Sequence, residues 1–265
     1  ALDPASVDPA WAGKIESGAT GLARIAALDR DAGDFVGCAT LYRELADLVP
    51  DDPRWAREAA ETSGLAARAL EDDAKALSAA SRGEVVDAAT LKKLRKDARV
   101  PMKEFGKPNE FRRFEVAGKR REAESNALFA QTWERYQRAV FLAPLDVQLA
   151  CDAAHVAIYH VPAELGAAEK LLEGAIRLAR EQSESPMEPT AKNQLRHVLA
   201  TGLSYQGTIE YQFKNNPDGA VKLFEQALEI DPDRLPSVRE RLLPEARIAS
   251  GKLRGDGEPS TADHR

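Results

Sequence analysis

Few side chains in this chain are spaced for chemistry, and each set fails on geometry. His155 and His160 lie five residues apart on one predicted helix, which puts them on different faces. Helical zinc pairs use spacings of three or four, as in H-E-x-x-H. Cys38 and Cys151 form neither a metal-site spacing nor a disulfide framework. Cys38 shares one face of the predicted 35–48 helix with Leu41, Tyr42, Leu45 and Leu48, so a buried free thiol is expected there, with a long-range bridge to Cys151 as the alternative. The run Gly202-Leu203-Ser204-Tyr205-Gln206-Gly207 is one residue too long for a G-x-S-x-G nucleophile elbow and sits inside a predicted helix. There is no phosphate loop and no dinucleotide fingerprint. Asp51-Asp52 reads as a helix cap and Asp72-Asp73 as a charged face. His197, His264 and the Arg254-Gly255-Asp256 triplet complete no constellation. The expectation is a chain with no catalytic residues, no metal and no cofactor.

Charge and aromatics are distributed more tellingly. Residues 92–121 hold 12 Lys and Arg against 4 Asp and Glu, a local charge of +8 in a chain of net charge −6, so the remainder carries −14. Within this segment Phe105, Phe111 and Phe114 interleave with Lys103, Lys107, Arg112 and Arg113. Aromatic anchors with a charged rim serve protein docking, while aromatics with cations also serve single-stranded nucleic acid. No nucleic-acid motif surrounds them and the chain is acidic overall, which favours a protein partner. A solvated helical face rich in Lys and Arg is the plainer alternative.

The elements that must carry these residues are helical. Forty-three per cent of residues are apolar and 30% charged, the balance of a folded, water-soluble chain. β-Branched runs are scarce, and no apolar run reaches the length that spans a bilayer. An all-α fold is expected. Pro4 and Pro9 predict an extended lead-in, followed by helices over 10–31, 35–48 and from Pro53 towards Leu77, broken at Gly33-Asp34 and Pro50. Residues 83–126 read as a basic insertion or degenerate repeat, interrupted by Pro101, Gly106 and Pro108. A nearly continuous helix starts at about 109 and runs to 142, with Gly118 its weak point. Further helices are predicted over 147–159, 165–179, 191–213, 218–230 and 235–249, the last a polar cap, followed by a disordered tail over 251–265.

Ala220, Phe224, Ala227 and Pro232 stand in the A-x3-F…A…P spacing of the second helix of a tetratricopeptide repeat. Cys38, Tyr42, Leu45 and Pro50 repeat that spacing; Tyr136, Ala139 and Pro144 repeat most of it; Ala168, Leu172 and Ala175 match it. Gly207 and Tyr211 are fragments of the first-helix signature. The chain therefore resembles tetratricopeptide-repeat proteins over roughly residues 19–52 and 130–233. The resemblance implies a right-handed α–α superhelix, a solenoid of irregular repeats with a basic helical insertion. Its segments would be 1–82, the insertion 83–126, further repeats and a capping helix over 127–250, and the tail. It also implies a concave groove lined by first helices, presenting Tyr205, Ile209, Gln212 and Phe213, with His160, Ala153 and Ala157 from the preceding hairpin. At the positions where some members carry a Lys and Asn carboxylate clamp stand Ala23 and Ala27, with Arg24 and Arg30 nearby, so the clamp is absent in its usual form and the resemblance does not favour tail binding.

Together these readings predict a non-enzymatic protein-interaction scaffold or assembly subunit. It would dock a partner through the groove residues and through Phe105, Phe111, Arg112, Arg113 and Phe114. The alternatives are a ligand-binding or enzyme-associated helical domain and a nucleic-acid adaptor acting through residues 92–121. The opening residues Ala1-Leu2-Asp3-Pro4 fit a mature end after signal-peptide cleavage or a trimmed chain; an exported, periplasmic protein is favoured over a cytoplasmic one.

Overall fold

Short polar side chains set where the helices begin. Asp34, Asp87, Asp146 and Asn216 each accept a backbone N–H of the following first turn, and Asp52 does so with Pro53 at the first helical position. The computed structural model describes residues 9–84 and 86–251, with side chains from Ser17 onward. All regular elements among them are helical, with no strand. The extended lead-in, the 251–265 tail beyond Gly251, the Arg254-Gly255-Asp256 triplet and His264 lie outside the described residues.

The chain divides into two compact units, residues 1–142 and 143–265. The first holds α1 (Pro9–Asp31), α2 (Phe35–Leu48), α3 (Pro53–Ser81), α4 (Ala88–Asp97), a 3-10 turn (Met102–Glu104) and α5 (Pro108–Leu142). α1 and α2 close over Ala19, Ala26, Cys38, Tyr42 and Leu45, against Ala59 of α3. α3 and α5 then run antiparallel: Gly64 faces Thr132, Ser125 Oγ donates to the Ala67 carbonyl at 2.8 Å, and Gly118 faces Ala74 and Leu77. At about 1.5 Å per residue these helices are ~44 and ~52 Å long. A seam of Ala, Gly, Ser and Thr lets their backbones approach closely.

Both long helices lie where the sequence places them, but the pair is not built like a tetratricopeptide hairpin. A tetratricopeptide unit fits a helix–turn–helix into 34 residues, whereas α3 has 29 residues and α5 has 35, each close to a whole repeat. The expected boundary at residue 126 falls inside α5, and the units divide at residue 142 instead. Residues 83–126 therefore form no separate segment, because α5 buries Phe114, Ala117, Gly118 and Ser125. Gly118 does not interrupt α5, and a Cβ there would make only ordinary contact, 3.4 Å from the Leu77 Cβ.

The second unit holds α6 (Val147–His160), α7 (Leu165–Ser183), α8 (Pro189–Gln212), α9 (Pro217–Ile230), a π turn (Val238–Leu242) and α10 (Leu243–Ala249). Each helix packs on the next, and α6 also packs on α8. The core of α8, α9 and α10 gathers Leu203, Ala220, Val221, Phe224, Ala227 and Leu242. Phe224 is fully buried and lies over Gly207, where an added Cβ would come within 2.6 Å of its ring. Glycine at 207 is therefore required by the close approach of α9 to α8.

Candidate functional site

At one end of the α3–α5 pair, α4 is pinned by apolar burial: Leu94 packs with Leu77, Ala80, Phe114 and Ala117. The loop from α4 to α5 is then framed by charge. Glu110, 2% exposed, accepts from Arg95 at 2.6 Å and from the Gly106 backbone N–H. Burial alone would raise the Glu110 pKa, but these two donors outweigh it and hold the carboxyl below its usual range. Arg95 also lies over the Phe105 ring, 4.0 Å from its centroid. Arg113 binds Glu104 at 2.6 Å across the loop.

α4 ends on Arg99, at φ 51° a non-glycine residue in the left-handed region. The Val100 N–H returns to the Arg95 carbonyl and the Arg99 N–H to the Lys96 carbonyl, a Schellman closure that normally uses glycine. The side chain at that position instead helps line an open groove of about 380 Å³, together with Asp97, Glu104, Arg112, Val116 and Arg120. Lys92, Lys96, Arg99, Lys103, Lys107 and Arg112 make no ion pair with any described residue. Four apolar side chains stand exposed among them: Met102 (84%), Val116 (63%), Phe105 (38%) and Phe111 (37%).

The predicted anchors of this segment separate accordingly. Phe105, Phe111 and Arg112 are on the surface, and Arg113 is exposed but paired with Glu104. Phe114 is 1% exposed and is corrected from a docking anchor to a core strut, because its helical position faces Leu77 and Leu94.

A second surface lies on α6 and α8 of the other unit. The His155 ring is 4.8 Å from Tyr159 and 5.4 Å from Tyr205 between centroids, and Tyr159 and Tyr205 are 6.3 Å apart in an edge-on arrangement. The His160 ring comes within 6.4 Å of His155, edge-on, although their spacing had placed them on different faces. Of the predicted groove residues, Tyr205 and His160 join this aromatic patch, while Gln212 and Phe213 are exposed at the end of α8. Ile209 is 1% exposed and is corrected to the interior, since the α8 turn that carries it faces the core.

Both cysteines are buried free thiols. Burial pushes the Cys151 thiol up to about 12, far from nucleophilic readiness. The Ser204 hydroxyl is buried and donates to the Thr201 carbonyl within its own helix. Among the described residues no three His, Cys, Asp or Glu are grouped to hold a metal, and no helix is long and apolar enough to cross a membrane. No protein-family model matches the chain and no curated protein matches it.

Proposed function

We propose that this chain is a non-enzymatic docking protein whose basic, aromatic-bearing tip at residues 92–120 receives a partner segment carrying carboxylates interleaved with apolar side chains. One observation carries this reading: six cations that make no ion pair with any described residue share the surface with Met102, Phe105, Phe111 and Val116. A merely solvated helical face gains nothing from exposing large apolar groups among its charges, whereas a docking surface uses apolar anchors with a charged rim. Arg99 supports it further, since a residue with a side chain holds a backbone position that glycine fills at lower cost.

The tetratricopeptide resemblance enters as part of the same proposal, confined to the second unit. α6–α7 and α8–α9 are read as successive hairpins of a short superhelical stack, with α10 as its cap. The packing of α6 on α8 and the seating of Phe224 on Gly207 support that reading. The His155, Tyr159, His160 and Tyr205 patch is then a second contact surface on the first helices.

Native affinity purification with wild type and a K96E/R112E double variant tests the tip. Stoichiometric protein partners recovered with wild type and lost from the variant are expected. Equal recovery with both would discard the tip as the docking surface. Exposed Phe105 and Phe111 among cations also favour a nucleic-acid reading, for which steeply salt-dependent RNA or DNA binding by the purified chain would be the sign.

A further inference from the structure

Away from the basic tip, α2, α3 and α5 of the first unit border a small, partly open cavity of about 60 Å³ lined by Arg43, Ala46, Asp47, Ala56, Ala59, Arg135 and Arg138. Three guanidinium-bearing side chains share it with one carboxylate. None of the three arginines makes an ion pair with a described residue. Two are held by neutral acceptors instead. Arg138 donates to the Pro50 carbonyl at 3.0 Å, and Arg135 donates to Ser63 Oγ. That hydroxyl spends its own proton on the Ala59 carbonyl at 2.6 Å, so it presents a lone pair to the guanidinium. These bonds hold the Arg135 and Arg138 guanidinium groups without an ion pair to a described residue.

We propose that Arg43, Arg135 and Arg138 form a binding site for one compact oxyanion, a phosphate group. Guanidinium forks match phosphate oxygens in geometry and retain their charge when partly buried. Burial and the charge of Arg43 both push the Arg135 pKa below the usual arginine value, with Asp47 and Glu134 acting the other way. An anion between the arginines relieves that repulsion. The cavity has several times the ~10–15 Å³ that one water needs, yet is far below the ~300 Å³ of a typical small-molecule site. It therefore suits a single phosphate-sized group rather than a nucleobase or cofactor.

The proposal is independent of the docking tip, and its test separates the two. Thermal unfolding of the whole chain is followed in rising sodium phosphate, with sodium chloride at matched ionic strength as reference. Phosphate is expected to raise Tm beyond chloride in wild type and equally in an R99Q/R112Q variant of the tip. R43Q and R138Q, both at exposed positions, should each need about tenfold more phosphate for the same rise. A phosphoserine peptide titrated alongside identifies the source: half-saturation at lower concentration than inorganic phosphate marks a phosphate read on a peptide, and equal concentrations mark the free ion. Phosphate no better than chloride, or R43Q and R138Q responding as wild type, would overturn the site.

Discussion

The two units solve helix packing in opposite ways. The first pairs two long helices through a seam of small residues, with Gly118 one among Ala74, Ala67, Ser125 and Thr132. The second seats one large ring, Phe224, on one glycine, Gly207. A diffuse seam spreads its energy over many modest contacts, so no single position decides it. A knob on a glycine concentrates the energy at one place. The difference also bears on function, because the long pair ends in a framed, charged loop while the short stack carries an aromatic face along its helices.

Phe224→Ala should give the largest effect, about 3–5 kcal/mol, since it empties a fully buried aromatic position. Equilibrium chemical denaturation measures it; a loss below about 1 kcal/mol would break the contrast between the units. Glu110→Ala comes next, at roughly 2–4 kcal/mol near neutral pH, because it strands Arg95. Glu110 has a folded pKa below its unfolded value. Its contribution is therefore present above the unfolded pKa and is lost as pH falls through the folded one. The difference between wild type and E110A should begin to shrink as pH falls below the ordinary glutamate value of about 4.3, and vanish only below the lowered folded pKa. Parallel curves down to pH 3 would show that the carboxylate charge is not what holds the loop.

The glycines give the sharpest comparison. Gly207→Ala should cost about 1–3 kcal/mol through overpacking against the Phe224 ring. Gly118→Ala meets only ordinary contact at 3.4 Å, and gains up to about 1 kcal/mol of helix propensity. Thermal melts of the two variants should move in opposite directions. Arg99→Gly has the smallest expected effect on stability, neutral to about 1 kcal/mol more stable, because it relaxes a left-handed position. The same change should weaken partner binding; a variant that is destabilised and binds normally would remove Arg99 from the docking surface.

Much of this was legible in the sequence. The 35–48 helix is found as expected, and Pro217 opens α9 one residue before its predicted start. Proline, glycine and capping Asp or Asn act locally, so the punctuation they impose can be read without tertiary knowledge. Orientation could not. Phe111 and Phe114 are three residues apart on α5, and which one faces inward depends on α3, more than thirty residues away in sequence. Ile209 was misplaced for the same reason. The helix over 109–142 was legible, but its pairing with α3 was not, because that depends on residues such as Gly64, Thr132, Ala74 and Gly118 meeting across the two helices. Arg135 and Arg138 stand one turn apart on α5, but Arg43 comes from α2, and no local sequence pattern joins it to them.

The docking claim is tested most directly by lysine crosslinking and mass spectrometry on the complex purified from source cells. Partner crosslinks concentrated at Lys92, Lys96, Lys103 and Lys107, and diminished by raised salt, are the predicted result. Crosslinks confined to Lys170, Lys192, Lys214 and Lys222 of the second unit would contradict it.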